Sequence, residues 1–288
     1  MTFTQFKIFS KVIETGSFTK AGEVLNMTQS AVSHAIASME SELGVALIIR
    51  DKKRGVILSD FGKRVLKPVR DIINKISIIE QEAAAEKGLE IGTIRIGSFP
   101  STTARLLPKM IATFKQMYPM IEIVLFEGTD HEVKEWINNR VIDMGFIAKL
   151  CWDETIIPIT RDKMVVVISK GHPLTNYPAI PVQMLADVPF IMPSGGCELI
   201  IREIFEQYDL SPSVHFQVME LATILNMVQE GLGVTVLPQL ALPDTLPDVE
   251  VRELEPAVWR HLGLYCPYMN ETSPAAQRFI SIGQSLFT

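Results

Sequence analysis

The residues from Phe18 to Glu40, FTKAGEVLNMTQSAVSHAIASME, restrict this chain more than any other stretch. Two amphipathic helical patterns, Thr19–Leu25 and Thr28–Glu40, are separated only by Asn26 and Met27, which leaves room for a tight corner and nothing longer. That arrangement is a helix-turn-helix. In the second helix Ala31, Val32, Ala35, Ile36 and Met39 recur at spacings of three and four, so they share a face that packs on the first helix. Thr28 is suited to cap that helix, and Asn26 suits the corner because Asn tolerates left-handed backbone. Thr28, Gln29, Ser30, Ser33 and His34 then face outward near the helix start. In a DNA reader this part of the helix enters the major groove, where Gln pairs with adenine and Ser serves several bases. A polar face is equally what solvation produces, so the flanking sequence has to decide.

The net charge of −6 argues against a nucleic-acid partner until it is divided along the chain. Residues 1–90 carry +2 and the remainder −8, and residues 50–70 alone carry +6. Within that basic stretch, ALIIRDKKRGVILSDFG reads as two short strands joined by a turn holding Arg50, Lys52, Lys53 and Arg54, which is a wing. Its cations are expected on the DNA backbone, positioning the module rather than reading sequence.

Ahead of the corner, Phe3, Phe6, Phe9, Val12 and Ile13 form the apolar face of a first helix that closes a three-helix core. Behind the wing, Ser59 or Asp60 starts a long helix to about Lys87, interrupted by Pro68. Its stripe, including Phe61, Val65, Val69, Ile72, Ile76 and Ile79, is too broad for a helix alone in water, and pairing with a second copy is expected. From Ile91 strands alternate with helices in two successive α/β halves, which predicts helix-covered parallel sheet in two lobes with a cleft between them. The reading is therefore α/β with an N-terminal all-α winged helix-turn-helix. Its domains are 1–58 for DNA binding, 59–90 for the linker helix and hinge, and 91–288 for the bilobed domain. Lobe one is expected at about 91–161 and 267–288, lobe two at about 162–266.

These stretches together resemble the LysR-type family of bacterial transcriptional regulators over the whole chain. The resemblance rests on FKIFSKVIETGSFTKAGEVLNMTQSAVSHAIASMESELGVALIIR, LSDFGKRVL, GTIRIGS with LLPKMIATFKQMYP, and GLGVTVLP. It implies a dimerising linker helix, a periplasmic-binding-protein-like (type 2) effector domain, and a homodimer or homotetramer. The implied partners are double-stranded DNA at an interrupted dyad near a promoter, a small-molecule effector and RNA polymerase. Ser30 stands where the family often has Pro, and Ala37 where a basic residue is common, so this helix has fewer phosphate contacts.

Ligands of open α/β sheets sit beyond the carboxyl ends of strands, often at helix starts. That places candidate effector contacts at Ser98, Ser101, Thr102, Thr103, Thr129 and Ala148 in lobe one, with Ser101 and Thr102 matching the family's contact positions. In lobe two Pro193, Ser194, Gly195, Gly196 and Cys197 join a strand to a helix. Hydroxyls at facing helix starts predict a carboxylate or other anion.

A peroxide-sensing branch of the family carries a reactive cysteine near the position of Cys197. A resolving cysteine one helix later is absent here, which leaves single-thiol sensing as the alternative. A solute-binding receptor is a weaker alternative, because no export signal precedes the basic module. No enzyme motif, metal-spaced set or cofactor motif is found, and the scattered histidines suggest no catalyst. No apolar run reaches the roughly 20 residues that cross a bilayer, so the expectation is a cytoplasmic protein with no membrane partner.

Overall fold

A computed structural model describes residues 1–51, 55–151, 154–246 and 248–287, leaving aside the side chains of Arg50, Asp51 and Asn270. The chain divides into two compact units, Met1–Glu90 with Asn138–Val141 and Ile91–Ile137 with Ile142–Thr288.

The first unit opens with helices α1 (Phe3–Thr15), α2 (Phe18–Leu25) and α3 (Gln29–Leu43), each started by a hydroxyl side chain that accepts an early backbone N–H: Thr2, Ser17 and Thr28. Such caps each contribute about 1 kcal/mol. Asn26 takes the left-handed conformation at φ 54° and ends α2. The corner is tight because Met27 N–H donates to the Gly22 carbonyl, and a Cβ on Gly22 would stand 2.6 Å from the Met27 oxygen. The short strands β1 (Ile48–Asp51) and β2 (Gly55–Leu58) pair antiparallel as the wing. The Glu40 carboxylate holds the entry to this wing by accepting from Leu47 N (2.7 Å) and Ile48 N (3.0 Å).

Helix α4 (Asp60–Ala85) follows without a break at Pro68 and ends two residues short of the expected Lys87. Ser59 caps it through Gly62 N (2.9 Å), while the Ser59 N–H and hydroxyl donate to the carbonyls of Leu47 and Ala46. A Cβ at Gly62 would lie 2.1 Å from the Leu47 oxygen, so only glycine lets α4 approach the wing this closely. The structure corrects the stripe expected for dimerisation. Leu66 and Val69 are buried in the module's own core with Ile8, Phe9, Val12, Ile36 and Met39, and Phe61 and Val65 pack against it. The three-helix core is too small to close without a fourth side, and α4 supplies it. Ile72 and Ile79 stay exposed, at 40% and 66%.

The second unit comprises β3 (Gly92–Ser98), α5 (Pro100–Arg105), α6 (Leu107–Met117), β4 (Ile121–Glu127), α7 (Asp130–Asn138), β5 (Met144–Lys149), β6 (Ile156–Ser169), β7 (Ala179–Pro181), β8 (Phe190–Pro193), α8 (Glu198–Glu206), β9 (Val214–Val218), α9 (Leu221–Gln229), β10 (Thr235–Pro238), β11 (Val249–Tyr265) and α10 (Pro274–Phe287). The chain after β3 forms two helices, parted at Leu106, because Pro108 has no N–H to continue the first.

The parallel sheet expected in this unit is mixed. Strand order is β10-β6-β11-β5-β3-β4, with β7 added beside β11, and β10, β6, β11 and β5 pair antiparallel. Parallel pairing joins β3 with β4 and β5, β7 with β11, and β8 with β9, with one further parallel bridge between Phe190 and Val234. Strands β6 and β11 are long enough to serve both lobes. Ile159, Leu262 and Leu264 lie in one core with Phe114, Phe146 and Phe279, whereas Met164, Val166 and Leu254 lie in another with Phe190, Phe205 and Ile201. The boundary expected at 266/267 is thereby corrected, since Leu262, Leu264 and Cys266 already lie in the lobe-one core, while 161/162 falls between Ile159 of one core and Met164 of the other. The return to lobe one happens inside β11, before Leu262, because a 17-residue strand spans farther than one lobe is wide.

Candidate functional site: reading helix and interlobe cleft

Along α3 the residues alternate between core and solvent as the helical period requires. Val32, Ile36 and Met39 are buried, while Thr28, Gln29, Ser30 and His34 are exposed and Ser33 is half-buried. The Thr28 hydroxyl accepts from Ala31 N (3.2 Å) and lies 3.0 Å from the Ser30 hydroxyl, so these two short side chains brace each other. Gln29 carries its amide freely into solvent at the first turn. The wing cations Lys52, Lys53 and Arg54, and the side chain of Arg50, lie outside the described residues.

In the second unit a cleft of about 1110 Å³ opens between the lobes. Ser101, Thr129, Ala148, Pro193, Gly195, Gly196 and Cys197 line it. Gly196 brings lobe two against the start of α7, since a Cβ there would stand 3.6 Å from Asp130 N. Four expected contacts are not on the wall. Ser98 is fully buried with its hydroxyl turned to the Phe99 carbonyl, Thr102 is fully buried, Thr103 donates to the Phe99 carbonyl (3.2 Å), and Ser194 is held through its N–H on Val218. The β3–α5 connection coils back on Phe99, so of the hydroxyls of Ser98, Ser101, Thr102 and Thr103 one, that of Ser101, faces the opening. Thr129 reaches the wall but spends its hydroxyl on capping: it donates to Glu132 (2.8 Å) and accepts from Glu132 N. Donation from the Thr129 backbone N–H (2.8 Å), and after it from the hydroxyl, holds the Glu132 carboxyl below its ordinary range.

At the floor lies a group that the sequence reading overlooked. Arg260 on β11 is 1% exposed and stands opposite Asp162 on β6, itself 4% exposed. Its Nε and Nη2 donate to the same Asp162 oxygen at 3.0 and 2.7 Å, and Asp162 accepts from Leu240 N (3.0 Å) through its other oxygen. Arg260 Nη2 also donates to Ser101 Oγ (2.9 Å), and the Phe99 ring faces the guanidinium at 5.3 Å. Nη1 meets only a weak acceptor, Cys197 Sγ at 3.9 Å. Two buried charges without such partners would be untenable; here each is hydrogen-bonded and neutralised. The sequence signal was a cation and an anion at inward positions of apolar strands, in VWRHLGL and TRDKMVVV.

Burial pushes the Cys197 thiol up, with Arg260 opposing and Asp162 and Asp130 reinforcing. This opposes the lowering that a helix N-terminus exerts on a thiol. A raised thiol is a weaker nucleophile, which counts against single-thiol sensing at this site. Among the described residues there is no group of three or more His, Cys, Asp or Glu able to hold a metal, and no helix long and apolar enough to cross a membrane.

The family model described as the LysR substrate binding domain matches residues 87–287, and that of bacterial regulatory helix-turn-helix proteins of the lysR family matches residues 3–63. The chain is 45% identical over 289 residues to a protein of Bacillus subtilis (strain 168) named as the uncharacterized HTH-type transcriptional regulator YvbU, covering 100% of this chain and 99% of the relative. In fold it is similar to a full-length OxyR variant from Pseudomonas aeruginosa, with a TM-score of 0.79, 22% identity, and 100% and 96% of the two chains covered. The effector binding domain of QuiR in complex with shikimate is similar over 68% of this chain and 97% of its own, with a TM-score of 0.59 and 22% identity. The chain belongs to the LysR-type transcriptional regulators, DNA-binding proteins that join a helix-turn-helix module to an effector-binding domain.

Proposed function

We propose that a small anion bound in the interlobe cleft, at Arg260 and Ser101, controls how this regulator acts on DNA. The observation that carries the reading is the buried guanidinium with Nη1 facing a weak acceptor at the floor of a cleft whose wall also carries Leu199, Ile200, Met219, Leu221 and Leu225. A charge-assisted bond from such a donor to a carboxylate is roughly twice as strong as one between neutral groups. The QuiR domain of like fold, a complex with shikimate, supports a small-molecule occupant. Thr28, Gln29, Ser30, Ser33 and His34 meet the major groove, with Arg50, Lys52, Lys53 and Arg54 on the backbone. Two copies pair through the exposed part of α4, at Ile72, Ile76 and Ile79, so that their readers span an interrupted dyad. The setting is the cytoplasm, and the output is contact with RNA polymerase.

A mobility-shift assay on DNA upstream of the gene, run with and without a panel of small carboxylates, tests the reading. At least one acid is expected to change the mobility or affinity of the wild-type complex and to leave that of the Arg260→Gln variant unchanged. Equal responses in both proteins would reject the site.

A further inference from the structure

Given the anion-binding cleft proposed above, on which it rests, we infer that the effector is an amphipathic monoanion: one carboxylate on Arg260 and Ser101, a bulky apolar body, and no second negative charge. Three features of the cleft lead there.

The first is donor count. Arg260 spends Nε and one Nη2 proton on Asp162, and its other Nη2 proton on Ser101. What faces a ligand is Nη1 and the hydroxyl proton of Ser101, which accepts from Arg260 and has no acceptor among the described residues. Two adjacent donors match the two oxygens of one carboxylate.

The second is charge. One bound carboxylate already makes two anions around a single buried guanidinium. The other cations of the wall each have an acceptor already: Arg105 donates through Nη2 to the Leu242 carbonyl (2.7 Å) and to Asp244 (2.9 Å), Lys134 pairs with Asp130, and Lys149 is not free. Glu127, Glu132, Glu203 and Glu220 add negative charge along the same wall. A second carboxylate on the ligand would meet repulsion with no cation to receive it.

The third is the apolar surface left uncovered. Leu199 and Met219 line the cleft at 73% and 64% exposure, beside Ile200, Leu221 and Leu225. Large apolar side chains held open around a polar floor are what an apolar ligand body covers.

The test is calorimetric titration of the full-length chain with 4-phenylbutanoate and 4-methylpentanoate as monoanions, 4-phenylbutanol as the uncharged counterpart, and phenylsuccinate and glutarate as dianions. The expected result is that a monoanion binds at least about tenfold more tightly than the alcohol and than either dianion, a difference of 1.4 kcal/mol. Tighter binding of a dianion overturns the monoanion class while leaving the anion-binding cleft in place. Equal binding of alcohol and acid, or silence across the whole series, overturns both. Asp162→Asn gives an independent sign. Freed of its partner, Arg260 should bind 4-phenylbutanoate more tightly and admit phenylsuccinate, and weaker binding of both by a variant with wild-type circular dichroism would overturn the charge argument.

Discussion

The reading helix and the interlobe cleft, proposed above as the places where this regulator meets DNA and its effector, hold their polar groups under opposite conditions. On α3, Gln29, Ser30 and His34 sit in solvent and form few bonds within the protein. In the cleft, Arg260 is 1% exposed and is held by Asp162, Ser101 and the Phe99 ring. An exposed polar side chain costs folding almost nothing and is free to be chosen for its partner. A buried ion must first be made tolerable to the fold, and only its remaining donors are open to a ligand. Reading and sensing therefore draw on stability very unequally.

Arg260→Leu puts the greatest strain on that contrast. It leaves the Asp162 carboxylate buried without its cation and should cost about 3–5 kcal/mol in urea unfolding of the effector domain. Arg260→Leu combined with Asp162→Leu should recover most of the loss, and a single substitution costing under about 1 kcal/mol would erase the distinction between the sites. Glu40→Ala comes next, because it removes the charged acceptor of Leu47 N and Ile48 N at the wing entry. About 1.5–3 kcal/mol should be lost from the DNA-binding module, read by thermal denaturation. Gln29→Ala should leave stability within about 0.5 kcal/mol yet remove about 1–3 kcal/mol of discrimination between operator and altered sites in competition binding. A large stability loss there would mean that the reading face is not free of the fold. The smallest effect belongs to Thr28→Ala, about 1 kcal/mol from the lost cap on α3, measured by chemical denaturation.

What the sequence made legible follows the range of the interactions. The corner at Asn26 and Met27, the hydroxyl caps and the apolar face of α3 are set by residues within a turn or two of each other, and the structure has them within one to three residues of the reading. The Arg260–Asp162 pair joins residues 98 apart, and the Arg260–Ser101 bond residues 159 apart. No local period announces either, although an inward-facing charge on an apolar strand is a clue in hindsight. The misassigned stripe on α4 has the same origin. Periodicity identified the apolar face of Phe61, Val65 and Val69 but not what covers it, and the nearest uncovered surface was the core of the chain's own module. Mixed pairing in the sheet was missed because β6 and β11 cross both lobes, so the repeat of two α/β halves hid two shared strands.

Ser59 has a mechanical consequence. Through one residue the wing and α4 are tied at three points, to Ala46, Leu47 and Gly62, with no loop between them to take up slack. In the pairing along α4 proposed above, the reading heads would behave as the jaws of a locked calliper, set in angle as well as in span. One base pair inserted between half-sites turns the second site by about 35°, since a helical turn takes 10–10.5 base pairs. A locked calliper has no joint for that rotation, so the DNA between the jaws has to twist or bend to absorb it.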